Sequence, residues 1–323
     1  MNEENFEPLN NDHEPEHENC RAINELEESS PRGSFAGSIE DAPGCGTMVA
    51  NTLSQQSIHE VNVLLGEATG SKSDLLVSFD TLNVSLGSAA YPYLQPAALE
   101  ALQKAINDRG TTMVVNSAYR ALVQQFLLYN WWTSGVCAFQ AVAQPGASYH
   151  QAGLAIDIED ADGWRSHLEK YGWEWFGAGD YPHFTYTGGG QVASVTVKGK
   201  TIDIRNTATL AFQRLWNQNN PGDQVSEDGD YGSHTESKLR VSPANGFKVA
   251  PWDKLPRLLR LSQPRMEGSD VERLQEALKK AGITVGVDGE FGLGTDKAVK
   301  EFQQRKSLTA DGIVGSKTLA AIA

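Results

Sequence analysis

Residues that could bind a catalytic metal ion lie close together near the middle of this sequence. His150 and Asp157 belong to the segment SYHQAGLAID, with a Gly turn after the histidine and a predicted strand at the aspartate. His183, in DYPHFTY, is a third candidate. Two imidazoles and one carboxylate form a catalytic type of zinc site, because the fourth position stays open for water. On residue types alone, a buried histidine bonded to the backbone and an aspartate capping a turn are commoner.

Helix and strand patterns predict the elements that would position these residues. Apolar spacing of helical period indicates three helices, over residues 51–66, 95–108 and 121–132, the last of them amphipathic. Short apolar runs indicate three strands, over residues 111–117, 154–158 and 183–187. Helices mixed with short strands over residues 51–190 predict one α+β domain.

The charge of the chain is unevenly distributed. The formal net charge is -14, and residues 1–30 hold ten acidic side chains and one basic side chain, Arg21. We therefore predict a disordered acidic tail over residues 1–50. The rest of the chain is only mildly acidic, which argues against nucleic-acid binding. The sequence shows no apolar run long enough for a membrane span and no recognisable secretory signal.

The cysteines do not form a zinc-binding pattern. The chain has three, Cys20, Cys45 and Cys137, at spacings that match no cysteine-based zinc site. Cys20 and Cys45 could form a disulfide outside the cytoplasm, but the odd number leaves the redox compartment open.

An internal repeat occupies the C-terminal part of the chain. The segments EDGDYGSHTESKL, VDGEFGLGTDKAV and ADGIVGSKTLAAI share the pattern Asp-Gly-x-apolar-Gly-x-x-Thr. The pattern predicts a tight turn leading into a helix that is capped near its start by the threonine. VSPANGFKVAPWDKLP, at residues 241–256, is predicted to be a linker between the first copy and the other two.

Three motifs in the first domain resemble those of a known enzyme family. SYHQAGLAID matches the Ser-x-His-x-x-Gly-x-Ala-x-Asp signature of the zinc D-Ala-D-Ala peptidases, which include D,D-carboxypeptidases and the L-alanyl-D-glutamate endopeptidases of phage lysins. DYPHF is similar to the family's second signature, and SAYRALVQQ to a third. The resemblance covers about residues 90–190 and implies a small antiparallel sheet with flanking helices.

The resemblance implies a role for each matching residue. It implies that His150, Asp157 and His183 hold a Zn²⁺ ion and that Asp180 is the general base. It also implies that Arg120 holds the substrate and stabilises developing charge, because its planar fork suits a carbonyl or carboxylate. The implied positioning residues are Ser148 and Gln125. Tyr149, which flanks His150 in the sequence, could face and bind the substrate.

One position departs from the carboxypeptidase pattern. Many D,D-carboxypeptidases of the family have Glu where this chain has Asp180, and Asp there is more similar to the phage-type endopeptidases. Glu174 is a competing candidate for the base, but only Asp180 keeps the family spacing. A crowd of nearby aromatic side chains could form either a stacking wall or core: Trp131, Trp132, Trp164, Trp173, Trp175 and Phe176.

The end of the chain resembles a targeting domain. Residues 259–323 are similar to the three-helix peptidoglycan-binding domain, and residues 210–239 resemble a divergent copy. We therefore expect a zinc peptidase domain at 51–190, a divergent repeat and linker at 191–250, and a peptidoglycan-binding domain at 251–323. Such a module would concentrate the enzyme on the cell wall. The alternative is that it packs on the peptidase domain and binds nothing.

These resemblances imply a zinc metallopeptidase of peptidoglycan stem peptides, most simply a D-alanyl-D-alanine carboxypeptidase. A stem-cleaving endopeptidase and a non-catalytic peptidoglycan-binding protein are the alternatives. The substrate implies a periplasmic or extracellular location in the cell wall, although the route of export is not visible in the sequence.

Overall fold

The computed structural model describes residues 35–69, 76–139, 141–253 and 257–322. Most of the predicted acidic tail, including Cys20, lies outside these described residues. Within the described part, no helix is both long and apolar enough to cross a membrane.

The described elements follow the order of an α+β domain and then a helical one. The helices are α1 (Asn51–Thr69), α2 (Pro96–Arg109), α3 (Leu122–Thr133), α4 (Ala161–Glu169), α5 (Thr207–Asn219), α6 (Ser233–Arg240), α7 (Ser269–Lys280), α8 (Leu293–Arg305) and α9 (Ser316–Ile322). The strands are β1 (Val77–Ser78), β2 (Val84–Leu86), β3 (Tyr93–Leu94), β4 (Met113–Ser117), β5 (Ala155–Ile158), β6 (Trp173–Trp175), β7 (His183–Tyr186), β8 (Ser194–Val197) and β9 (Lys200–Asp203). The helices and strands predicted around the candidate ligands are confirmed, with small shifts at their ends.

The main sheet of the first domain has five strands. Its strand order is β2-β4-β5-β7-β6, with β2 parallel to β4 and the other neighbours antiparallel. The sheet is therefore mixed at one edge and antiparallel where the candidate ligands lie. β1 pairs with β3, and β8 with β9, in separate two-stranded sheets.

Helix α3 differs from the amphipathic helix expected at this position. Buried side chains occupy both its apolar positions and two polar ones, Gln124 and Gln125. Each amide nitrogen has a partner in the interior: Gln124 donates to the Ala89 carbonyl, and Gln125 donates to the Ala143 carbonyl. The N-terminal half of the helix is thus surrounded by protein, so it shows no polar face.

The first residues that the structure describes are packed against the domain, whereas we predicted a disordered tail there. Residues 35–50, which we assigned to the acidic tail, contain two 3-10 helices and contribute Ile39 and Val49 to the core. Cys45 forms a disulfide with Cys137, so the pairing with Cys20 suggested by the sequence is wrong. The disulfide joins this segment to the residues that follow α3, and the ordered domain begins before residue 51.

Residues 191–250 share one hydrophobic core with the first domain. Phe212 and Trp216 of α5 belong to the same buried cluster as Leu53 and Leu64 of α1. A buried ion pair reinforces this contact: Arg214 Nε lies 3.1 Å from a carboxylate oxygen of Glu60, which is 1% exposed. The boundary predicted at residue 190 therefore divides a single packed unit.

The predicted linker is also part of the packed structure. Phe247 is buried in the first core, and its backbone N–H and C=O both bond to the Gln56 side chain at 2.8 Å. Trp252 is likewise buried, in a short 3-10 helix. Proline-rich composition alone did not reveal these apolar anchors.

The repeats have the same internal hydrogen bonding, centred on a buried glutamine. The Nε2 of Gln213 donates to Asp228 Oδ1, the Asp230 carbonyl and Thr235 Oγ1, while its Oε1 accepts from the backbone of Asp228 and Gly229. Matching bonds in the later copies are made by Gln275 and Gln303. The shared threonine therefore binds this glutamine and a turn carbonyl rather than capping the helix as expected.

Helices α7, α8 and α9 form the predicted three-helix module around a separate core, which includes Val271, Phe291 and Phe302. This module rests on α1 through polar contacts. Gln55 donates to the Arg265 carbonyl at 2.6 Å and accepts from Arg257 at 2.7 Å.

Candidate metal centre

Two of the three expected ligands are placed by strand register. Asp157 on β5 is directly opposite His183 on β7. Directly opposed residues of antiparallel strands project from the same face, with their Cβ atoms about 4.5–5.5 Å apart. The sheet therefore brings together two residues that the sequence separates by a helix and a strand.

His150 approaches this pair from a short 3-10 helix, Tyr149–Ala152, that precedes β5. Ser148 caps this helix, because its Oγ accepts a hydrogen bond from the His150 backbone N–H at 3.3 Å. Gly153 ends the helix with a φ of +66°, and a Cβ there would lie 2.7 Å from a methyl group of Leu76. Glycine at this position is therefore required both by the left-handed turn and by the close packing.

The three side chains converge on one point. His150 Nε2 lies 3.2 Å from His183 Nδ1 and 3.2 Å from Asp157 Oδ1, and His183 Nδ1 lies 2.9 Å from the same oxygen. In the part of the chain that the structure describes, these residues form the one group of histidine, cysteine or carboxylate side chains spaced to hold a metal ion.

Outer hydrogen bonds orient both imidazoles toward this point. His150 Nδ1 lies 2.7 Å from the Ala118 carbonyl, which can only accept, so Nδ1 carries the proton and Nε2 a lone pair. His183 Nε2 lies 3.0 Å from Thr185 Oγ1, an arrangement that leaves Nδ1 to face the other ligands. A second partner that fixes the tautomer is typical of metal-binding histidines. The donor set and its outer bonds fit a zinc ion.

Arg120 fixes the carboxylate of Asp157. Its Nη2 donates to Asp157 Oδ2, and its Nε donates to Ser117 Oγ at 2.8 Å. Ser117 is itself the partner of Asp157 across β4 and β5. Arg120 thus occupies the outer oxygen of Asp157 and leaves Oδ1 to the histidines.

Burial and charge set the protonation of these ligands. Burial, together with the positive charge of Arg120, lowers the pKa of His150 to about 4, so the imidazole is neutral at pH 7. Burial alone would raise the pKa of Asp157, but its interactions with His150, Arg120 and His183 hold it well below its usual value. Neutral imidazoles and an ionised carboxylate are the forms that bind metals.

Asp180 lies at the edge of this centre. One of its carboxylate oxygens is 3.9 Å from His183 Nδ1. Burial raises the pKa of Asp180 to about 6, with a further contribution from the negative charge of Asp157. The competing candidate, Glu174, is exposed and accepts a hydrogen bond from Thr187 Oγ1 at 2.8 Å. The geometry favours Asp180.

The other residues expected to bind substrate have different positions. Gln125 is fully buried and donates to the loop carbonyl of Ala143, a position that favours a role in supporting the loop over direct contact with substrate. Ser148 acts on His150 through the backbone bond described above. Tyr149 is 46% exposed beside His150, and the Arg205 guanidinium lies 5.4 Å from the centre of its ring.

Half of the aromatic crowd is core. Trp131, Trp164 and Trp173 are buried, whereas Phe176 is 66% exposed and meets the His183 ring edge-on at 5.8 Å. Phe176 is therefore the member of the group best placed to contact a ligand. The sequence analysis did not identify Thr185, Ser117 or Arg205 as part of this region; the period-2 spacing of His183 and Thr185 on one strand could have indicated the first of these.

Comparisons with known proteins agree with this architecture. Residues 94–176 match the family model of D-alanyl-D-alanine carboxypeptidases, and residues 267–322 match that of a peptidoglycan binding domain. The first match includes Arg120, His150 and Asp157 and ends before Asp180 and His183.

Several curated relatives share shorter regions with the chain. It is 34% identical over 109 residues to the N-acetylmuramoyl-L-alanine amidase CwlL of Bacillus licheniformis, which covers 30% of each protein. It is 48% identical over 52 residues to a spore cortex-lytic enzyme of Bacillus cereus, covering 16% of this chain and 20% of the relative. The chain thus spans about three tenths or less of these relatives. The chain thus contains one region similar to the D-alanyl-D-alanine carboxypeptidase family, at residues 94–176, and one similar to a peptidoglycan binding domain, at residues 267–322.

Proposed function

We propose that this chain is a zinc-dependent hydrolase of peptidoglycan stem peptides that acts as a D-alanyl-D-alanine carboxypeptidase. The observation that carries the proposal is the convergence of His150 Nε2, His183 Nδ1 and Asp157 Oδ1 within 3.2 Å of one another. Three lone pairs directed at one point repel one another unless a proton or a metal cation lies between them. Two imidazoles and a carboxylate are the ligand set of catalytic zinc sites with an open position.

A bound zinc ion would supply a Lewis acid and lower the pKa of a coordinated water towards about 7. Asp180 is the group that would accept the proton of the attacking water and later pass it to the leaving amine. Its raised pKa, about 6, suits both roles near neutral pH, because the carboxylate is ionised there but can be protonated at small cost. Asp180 approaches His183 without occupying a ligand position.

Arg120 would act mainly through Asp157. Its two hydrogen bonds to Asp157 and Ser117 hold the carboxylate in the orientation that faces the histidines. Loss of an outer-shell partner of this kind typically costs about 10–100-fold in metal affinity or activity. We therefore assign Arg120 as a positioning residue, a role that differs from the direct grip on substrate implied by the family resemblance.

The C-terminal module would keep the enzyme on its polymer. Residues 267–322 match a peptidoglycan binding domain, and the names of the relatives describe enzymes that act on N-acetylmuramoyl-L-alanine or on spore cortex. A tethered binding module raises the local concentration of the catalytic domain at the polymer.

The site of action would be outside the cytoplasm, in the periplasm or the cell wall. The disulfide between Cys45 and Cys137 supports this location, because structural disulfides persist in oxidising compartments and are rare in the cytosol.

An endopeptidase that cleaves within the stem is the second candidate. Asp180 favours it, because Asp at this position is similar to the phage-type endopeptidases. A non-catalytic wall-binding protein is the third candidate, but the ligands, the base and their outer partners are all present in the described structure.

Mass spectrometry of stem-bearing muropeptides incubated with the protein tests the proposal. We expect chelator-sensitive loss of one terminal D-Ala and no loss with Asp180→Asn protein. A larger split of the stem would replace the carboxypeptidase by the endopeptidase. Intact muropeptides after incubation with zinc-loaded protein would refute both.

A further inference from the structure

We propose that Arg205, from the divergent repeat, completes the substrate site by binding a carboxylate of the stem peptide beside Tyr149 and His150. This inference rests on the proposed function only for the identity of the peptide. It assigns the divergent repeat a part in substrate recognition, in place of an independent contact with the cell wall.

The first step of the argument is the position of Arg205 relative to the metal ligands. Arg205 lies in a 3-10 helix, Ile204–Asn206, that contacts the 3-10 helix carrying Tyr149 and His150. Its guanidinium is 5.4 Å from the centre of the Tyr149 ring, and Tyr149 precedes His150 directly. A positive charge therefore stands one residue away from a metal ligand, next to an exposed aromatic ring.

The guanidinium is held in a fixed orientation. Asp203 Oδ1 accepts from Arg205 Nε at 3.0 Å, and Asp203 Oδ2 accepts from Nη2 at 2.9 Å. Asp203 also accepts the Arg205 backbone N–H at 2.9 Å. Among the described residues, no hydrogen bond to Arg205 Nη1 is found, so this end of the fork can bind a ligand. The side chain is 35% exposed, which gives a peptide access to it.

The segment that carries Arg205 cannot easily move away from the site. Ile204 is buried, and its backbone N–H bonds to the Ala193 carbonyl at 3.0 Å. On the other side of the contact, a Cβ on Gly146 would lie 3.3 Å from Asn206 Oδ1 and 3.4 Å from Tyr231 Cβ. The loop leading to His150 and the divergent repeat are therefore packed against each other.

The chemistry at this position suits a carboxylate. Arg120, the arginine that the family resemblance gives to the substrate, is bonded to Asp157 and Ser117 and is 17% exposed at its side chain. Arg205 is more accessible, and the end of its planar guanidinium that carries Nη1 can donate to a carboxylate while Asp203 holds the other edge. A stem peptide carries a terminal carboxylate and side-chain carboxylates, and Arg205 would select a peptide with the acid over one with the amide.

Binding can be measured without turnover in zinc-loaded Asp180→Asn protein. Three peptides are titrated by calorimetry: a stem pentapeptide, the same peptide amidated at its terminus, and one amidated at its side-chain carboxylates. This Asp180→Asn protein, the parent, is compared with the same protein carrying Arg205→Gln, Arg205→Lys or a matched control, Lys198→Gln. Lys198 lies in the turn between β8 and β9, shortly before Arg205 in the chain. It pairs with Glu227 and is 75% exposed.

We expect one of the two amidations to weaken binding about fivefold to tenfold in the parent, as for an exposed charge-assisted hydrogen bond. The amidation that does so identifies the carboxylate. This difference should disappear in Arg205→Gln, persist in part in Arg205→Lys and remain intact in Lys198→Gln. In the protein with an intact Asp180, Arg205→Gln should raise KM for the peptide with the free carboxylate and leave kcat unchanged.

Equal affinity of Arg205→Gln and its parent for all three peptides would overturn the subsite and leave the proposed function standing. Equal weakening of all three peptides would show a structural effect and also overturn it. Failure of the parent to bind any peptide would contradict the proposed function, and the subsite with it.

Discussion

The hydroxyl of Thr185 gives the sharpest test of how the metal centre is built. Thr185 Oγ1 lies 3.0 Å from His183 Nε2, on the side of the ring away from the other ligands. Thr185→Val keeps the shape of the side chain and removes the acceptor. With metal bound, Nδ1 of His183 must present its lone pair, so Nε2 must carry the proton and would then lack its partner.

The expected loss of zinc affinity follows from the difference between the metal-bound and metal-free forms of His183. Without metal, the His183 proton can move to Nδ1, where Asp157 Oδ1 at 2.9 Å accepts it, so the metal-free protein avoids the cost. The His183 side chain is 13% exposed, so water replaces the lost acceptor poorly. An unsatisfied donor of this kind costs about 1–2 kcal/mol. Zinc affinity should therefore fall about fivefold to thirtyfold.

Competition between the protein and a chromophoric chelator measures the zinc dissociation constant. Thr187→Val is the matched control, because Thr187 Oγ1 bonds to Glu174 at 2.8 Å and contacts no ligand. We expect an unchanged affinity for this control. Equal affinity of Thr185→Val and wild type, or an equal loss in both variants, would refute the assignment of Nδ1 as the ligand atom of His183.

Three further predictions concern the base and the repeat. Asp180→Asn should lower kcat by about 10²–10⁴-fold and leave zinc content unchanged, as measured by steady-state kinetics and metal analysis. The logarithm of kcat/KM should rise with pH and bend to a plateau at or below pH 6. The pKa of Asp180 is raised to about 6, only the ionised carboxylate accepts a proton, and a bound cation would lower this pKa. A bend centred above pH 7 would contradict the assignment of Asp180 as the base. Gln213→Ala should destabilise the peptidase unit by about 2–4 kcal/mol in urea unfolding, because the polar contacts of a buried amide with five partners are lost. Gln275→Ala should instead destabilise the C-terminal module and spare zinc binding.

Local patterns in the sequence were enough to predict most elements of the fold. The helix at α2, for example, begins with Pro96 at its first turn and ends before Gly110 in the left-handed conformation, both of which are local signals. The candidate ligands His150, Asp157 and His183 were predicted from motifs, and the structure brings them together.

Features that depend on contacts between distant segments were not predictable. The Cys45–Cys137 disulfide joins residues separated by 92 positions, and an odd cysteine count cannot assign such a pair. The boundary at residue 190 was placed by the change from peptidase motifs to repeat motifs. The buried pair of Glu60 and Arg214 lies across that boundary, and a charged side chain in a sequence gives no sign that it is buried.

The role of Gln125 illustrates the same limit. Its spacing from Arg120 matched a family motif, but the side chain turns into the interior and holds the Ala143 carbonyl. Motif spacing predicts a position along a helix, whereas the direction of the side chain depends on the loop packed against that helix.

Anomalous scattering at the zinc edge, from crystals of the protein purified with zinc, tests the central claim most directly. We predict one strong peak per chain in this domain, bonded to His150 Nε2, His183 Nδ1 and Asp157 Oδ1 at about 2.0–2.2 Å. A site without a peak in crystals grown with excess zinc, or a peak bonded to a different set of side chains, would contradict it.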